Sequence, residues 1–129
     1  IANRVEGGKR PRSSMSPMIV FNSEGSPVLA IGSPGGSRII CYVARVLLDV
    51  LEWDIELQSS VERGNLCNRG PVTELELGSS LVAMAADLQR MGHNVKITEM
   101  NSGLHGIMMF GDSLIGAVDP RREGDVGGK

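Results

Sequence analysis

The run Ile31-Gly32-Ser33-Pro34-Gly35-Gly36-Ser37-Arg38 constrains this chain more than any other, because it separates two apolar segments of different period. Before it, Val28-Leu29-Ala30-Ile31 is a short continuous apolar run, as expected of a buried strand. After it, Ile39, Val43, Val46, Leu47, Val50 and Leu51 recur at helical spacing, while Arg38, Arg45, Asp49 and Glu52 mark an opposite, charged face. The run is therefore expected to be a strand, a tight turn and a helix start. Gly35 and Gly36 have no Cβ, so they can take positive φ and let their N–H groups approach another molecule closely. Pro34 has no N–H and biases Ser33 towards an extended conformation, which should end the strand at the turn. With the unpaired amides of the helix start added, such a place suits a bound anion or the oxyanion of acyl transfer. A turn that only connects two elements has the same local pattern.

Upstream, residues 3–16 read as irregular and basic, with Lys9-Arg10-Pro11-Arg12 followed by Ser13-Ser14-Met15-Ser16-Pro17; the prolines exclude a helix interior. Met18-Ile19-Val20-Phe21 and Val28–Ile31 flank the turn-rich segment 22–27, predicting a β-hairpin with both strands buried. Segment 58–71 reads as loop, and Thr73-Glu74-Leu75-Glu76-Leu77 alternates as a half-exposed strand. A second helix is expected over Leu81–Met91, with Leu81, Met84, Ala85, Leu88 and Met91 on one core-facing side and Gly92 as its C-cap. Segments 94–98, 105–110 and 114–118 complete the strands, and the tail from Asp119 reads as polar and turned away. This order suits helices packed on an antiparallel or mixed sheet, an α+β fold, and Gly32-Ser-Pro-Gly-Gly-Ser37 does not fit the G-x-G-x-x-G dinucleotide spacing.

A chain of 129 residues suffices for one domain, and with aromatics at 3% its core must rest on aliphatic side chains. The net charge of −2 gives no reason to expect nucleic acid as a partner. The longest apolar stretch, Ile39–Trp53, is broken by Arg45, Asp49 and Glu52 and falls short of the ~20 apolar residues of a membrane span. Arg45 and Asp49 stand at i,i+4, a pairing that contributes only ~0.3 kcal/mol on a helix surface. Cys41 and Cys67 fit no metal or redox spacing and are read as free thiols; His93 and His105 lie far apart, as surface or satisfied residues, so no metal site is expected. The N-terminus has neither an initiating Met nor a signal-peptide pattern, and the chain reads as a processed or truncated piece.

Two motifs together carry a family resemblance. Residues 3–20, Asn-Arg-Val-Glu-Gly-Gly-Lys-Arg-Pro-Arg-Ser-Ser-Met-Ser-Pro-Met-Ile-Val, and residues 32–39, Gly-Ser-Pro-Gly-Gly-Ser-Arg-Ile, closely resemble the C-terminal part of the small subunit of gamma-glutamyltranspeptidase. The likeness continues through Gly70–Glu76, His105–Ile107 and Asp119–Gly124, and so covers nearly the whole chain. It implies the C-terminal portion of an N-terminal-nucleophile hydrolase αββα sandwich, in a single partial domain. It also implies a precursor that cleaves itself into two subunits, so that the remainder of the precursor is a partner, in a periplasmic or extracellular setting and with no cofactor.

For chemistry, the resemblance implies that a Thr exposed by self-cleavage attacks the gamma-glutamyl carbonyl of a substrate such as glutathione, and that water or an acceptor amine resolves the acyl-enzyme. That Thr lies upstream of the family positions present here. Gly35 and Gly36 match the glycine pair of the oxyanion hole, and Ser13 and Ser14 match the serine pair that binds the substrate's α-carboxylate beside Gly36. Lys9, Arg10 and Arg12 read equally as a solvated basic run and are left out of the site. Gly8 stands where the family pattern often has Pro, and Ser59–Arg69 follows the family only loosely. Two other classes fit the residues: a non-catalytic anion-binding or assembly module, and a related acylase acting on a different amide.

Overall fold

The computed structural model describes residues 4–128; Ile1, Ala2 and Asn3, where the basic segment and the family motif begin, lie outside the described residues. Residues 4–17 form no helix or strand, as two prolines require. Strands β1 (Met18–Phe21) and β2 (Pro27–Gly32) form the expected hairpin, and β6 (His105–Phe110) and β7 (Ser113–Val118) extend it into a four-stranded antiparallel sheet ordered β1-β2-β6-β7. A second sheet holds β3 (Leu66–Asn68), β4 (Thr73–Glu76) and β5 (Val95–Thr98), with β4 central, antiparallel to β3 and parallel to β5. The α+β expectation holds.

Helix α1 (Ile39–Leu51) has no Gly or Pro, and its apolar stripe buries Ile39, Tyr42, Val43, Val46 and Val50 against the inner face of the four-stranded sheet. Leu29 and Ile31 meet it from β2. At roughly 1.5–3 kcal/mol per buried large aliphatic side chain, this seam carries most of the apolar stabilisation here. Gly106 lies in register between Ile31 and Ala117 and faces Leu57 of the next helix.

That helix, α2 (Leu57–Glu62), falls in the segment expected to be loop, and so does β3. The Glu56 carboxylate caps α2, accepting from the N–H groups of Gln58 (2.9 Å) and Ser59 (2.7 Å), a service that Ser, Thr, Asp or Asn more often performs. The Gln58 amide then bonds both backbone groups of Val118 at 3.0 Å, tying α2 to β7.

Four further expectations are corrected. Strand β1 is exposed, with Ile19 and Phe21 bare, because it is an edge strand whose outer face is left largely open among the described residues. Strand β4 is fully buried instead of half-exposed, since arginines from elsewhere pair its carboxylates. The predicted Leu81–Met91 helix divides into a 3₁₀ turn (Ser80–Met84) and α3 (Ala85–Arg90), and neither buries a residue, although Gly92 closes α3 at φ 92° with the N–H of His93 bonding the Leu88 carbonyl. The tail does not turn away: Asp119 is fully buried, accepting from Ser102 Oγ and the Leu104 N–H, and Arg121 bridges it to Glu76.

The cysteines are not free thiols. Cys41 on α1 and Cys67 on β3 form a disulfide, with their Cα atoms 5.4 Å apart, because helix and strand cross over one another after 26 residues. Nor is Arg45–Asp49 a surface pair. Asp49 is buried, Arg45 Nη1 reaches it at 2.8 Å, and Ser60 and Arg63 complete the shell, so the pair joins α1 to α2. His93 and His105 are satisfied, with Nδ1 2.9 Å from Thr73 Oγ1 and 3.0 Å from the Gly103 carbonyl respectively.

Candidate active site

The glycine turn joins β2 to α1 and is held from three sides. On the strand side, Ser33 Oγ accepts from the Gly103 N–H at 3.1 Å and donates to the Pro34 carbonyl at 2.7 Å. Gly103 is needed there, since a Cβ on it would sit 2.7 Å from Pro34 Cγ. At its centre, Gly35 has φ +139° and rests on the ring of Tyr42, where an added Cβ would approach Cε2 to 2.5 Å. Gly36 has φ +59°, the left-handed region, with open space where a side chain would project.

Between the glycines and α1 a 3₁₀ turn, Gly36–Arg38, intervenes. It uses the Gly35 carbonyl, which accepts from Arg38 at 3.3 Å, and the Gly36 carbonyl, which accepts from Ile39. The N–H groups of Gly35 and Gly36 have no acceptor among the described residues. Two adjacent N–H groups thus stand unused where the turn meets the helix, Gly35 capping the 3₁₀ turn and Gly36 opening it, rather than in the first turn of α1.

Ser13 and Ser14 share a cavity of about 350 Å³ with Gly36, and Arg12 and Ser37 also line it. Gly35, the residue before it, packs against the Tyr42 ring and does not itself line the cavity. Among the described residues, the side-chain hydrogen bonds of the serine segment stay within it: Ser13 Oγ accepts from the Met15 N–H at 3.3 Å, and Ser16 Oγ donates to the Ser14 carbonyl at 3.1 Å. Two hydroxyls and a backbone N–H around one small cavity can bind a carboxylate or stabilise an oxyanion.

The helix side of the turn is anchored by a carboxylate to which the sequence assigned no role. Arg38 grips Glu74 on β4 with two bonds, Nε to Oε2 at 2.9 Å and Nη2 to Oε1 at 2.7 Å. Arg69 adds a third, Nη2 to Oε2 at 2.9 Å, and its Nη1 donates to Ser37 Oγ. The hydrogen bonds from Arg38 and then Arg69 outweigh the cost of burial and hold the Glu74 carboxyl down at about 2. Burial pushes the Tyr42 hydroxyl up, and its Oη has no hydrogen-bond partner among the described residues. Burial also acts to raise Asp119, but hydrogen bonds from Ser102 and Arg121 keep it below the usual carboxylate range. Glu74 and Asp119 carry no signal in the sequence beyond falling within the family motifs, Arg38 also marks the charged face of α1, and Tyr42 carries none.

This arrangement of a four-stranded and a three-stranded sheet around a glycine turn recurs in known proteins. The family model described as gamma-glutamyltranspeptidase matches residues 1–128. The chain is 32% identical to glutathione hydrolase 7 of Bos taurus over 124 residues, covering 94% of this chain and 19% of that protein. It is 34% identical to the glutathione hydrolase proenzyme of Escherichia coli K12 over 128 residues, covering 97% and 22%. A mutant Helicobacter pylori gamma-glutamyltranspeptidase superposes with a TM-score of 0.83 at 28% identity, covering 94% of this chain and 68% of that one. The chain belongs to the gamma-glutamyltranspeptidase family, an enzyme family with the N-terminal-nucleophile hydrolase fold. It spans about a fifth of the length of these curated relatives.

Proposed function

We propose that this chain is the C-terminal part of the small subunit of a gamma-glutamyltransferase that cleaves gamma-glutamyl amides such as glutathione. Attack by a threonine upstream of these positions puts negative charge on the carbonyl oxygen; the N–H of Gly36, which lines the cavity, receives it, with the unused Gly35 N–H next to it in the chain as the second donor of the pair. The amine leaves, and water or an amino acceptor takes the gamma-glutamyl group from the threonine ester. Ser13 and Ser14 hold the substrate's α-carboxylate beside Gly36. The observation that carries this reading is the shared cavity of Ser13, Ser14 and Gly36, residues up to 23 positions apart in sequence, with an unused N–H at its wall.

The remainder of the precursor is the proposed partner, and the apolar outer face of the four-stranded sheet supports it: Val126 of the tail lies over Gly116, but Ile19, Ile107 and Leu114 stay exposed. The Cys41–Cys67 disulfide supports a periplasmic or extracellular setting. Among the described residues no helix is long and apolar enough to cross a membrane. The family match disfavours a non-catalytic assembly module.

The test is turnover of a gamma-glutamyl anilide. The full-length protein is expected to release the aniline, faster when an amino acceptor is present. The isolated chain should show no release above a heat-killed control, because backbone donors without a nucleophile cannot form the acyl-enzyme. An inactive full-length protein, or an active isolated chain, overturns the proposal.

A further inference from the structure

We infer that Glu74 is a positioning residue for the reaction: through Arg38 and Arg69 it fixes the residues that directly follow the glycine pair, and so holds the Gly36 N–H at the cavity wall. The inference rests on the oxyanion role proposed above for that turn.

A backbone donor is useful only where it stands, and a displacement of about 1 Å can cost ~10²-fold in rate. Gly35 and Gly36 provide no side chain with which to anchor themselves, so their placement must come from their neighbours. Pro34 on Gly103 and Gly35 on Tyr42 fix the turn from the strand side. On the other side the anchors are Ser37 and Arg38, and both lead to one carboxylate: Arg38 directly in a two-bond grip, Ser37 by way of Arg69. Glu74 is suited to this task. It sits on the central strand of the second sheet, is buried to 7% exposure, and therefore transmits the position of a rigid strand to a flexible turn 36 residues upstream. Its charge is what matters, because a neutral side chain of the same shape presents an N–H₂ group to guanidiniums that only donate.

The full-length, processed protein distinguishes this role from simple support of the fold. Glu74→Gln is expected to lower kcat per processed molecule by about 10- to 100-fold with KM within about 2-fold of wild type, since the displaced N–H serves the transition state more than the bound substrate. Arg69→Ala, which removes one arm, should lower kcat by at least about 3-fold on the same criterion. If Glu74→Gln does not accumulate as folded protein, Arg69→Ala alone decides. Variants that keep wild-type kcat per processed molecule, or that only reduce the amount of folded protein, overturn the positioning role. Gly36→Pro separates the two layers of argument. A Gly36→Pro protein of normal activity defeats the oxyanion reading itself, whereas loss there beside normal Glu74→Gln and Arg69→Ala defeats only the inference about Glu74.

Discussion

The serine segment and the glycine turn, through Gly36, line the same cavity but are built in opposite ways. Ser13 and Ser14 sit in an exposed stretch without regular structure, tied only to residues two positions away. Gly35 and Gly36 sit in a turn fixed by Gly103, Tyr42 and, through two arginines, Glu74. The difference follows from which atoms work. A hydroxyl on a side chain can rotate to meet a carboxylate, so its backbone needs little support from this chain. A backbone N–H points only where the main chain points, so its site has to be braced by distant, rigid elements. The proposed binding half therefore tolerates a mobile frame, and the proposed catalytic half does not.

The comparison breaks most sharply at Gly36. In the full-length protein Gly36→Pro, which deletes the N–H and cannot adopt φ +59°, should lower kcat by ~10²-fold or more. Gly36→Asn should stay within a few-fold of wild type, because Asn tolerates the left-handed region, keeps the N–H and meets open space. Measuring kcat per folded molecule, with folding followed by thermal melt, decides: equal activity in the two variants would make the turn a mere connector.

The serine half predicts a different kinetic signature. Replacing Ser13 and Ser14 together with Ala should raise KM by about 10-fold or more and change kcat much less, because a carboxylate is already charged in the ground state. A collapsed kcat at unchanged KM would mean that the two halves do not divide binding from chemistry.

The smallest effect sharpens the bracing argument through pH. Glu74 is held at about 2 in the folded chain, chiefly by hydrogen bonds from Arg38, against 4.5 for an unperturbed Glu. A depressed folded-state value means stabilisation that is complete above about pH 4.5 and fades as pH falls towards 2. The melting temperature of wild type should therefore drop further between pH 5 and pH 3 than that of Glu74→Gln. Parallel pH curves for the two proteins would show that the carboxylate is not selectively stabilised in its charged form.

Much of the frame was written locally. The change from continuous apolar run to helical period located β2, the turn and α1, the glycine pair announced the positive φ values, and the two motifs that carry the turn and the serines identified the family. These are short-range properties of backbone geometry and side-chain spacing, so a linear reading reaches them. What the tertiary structure alone decided is which polar residues go inside. Glu74 and Glu76 looked like the wet face of a strand, Asp119 like a solvated tail, Arg45–Asp49 like a surface pair, and Cys41 and Cys67 like unrelated thiols. Each is buried or bonded because a partner arrives from a distant part of the chain: Arg38 from 36 residues away, Arg121 from 45, Cys41 from 26. A charged side chain is stable in the interior only when its counter-charge is there to meet it, and that meeting is a property of the fold rather than of any local stretch of sequence.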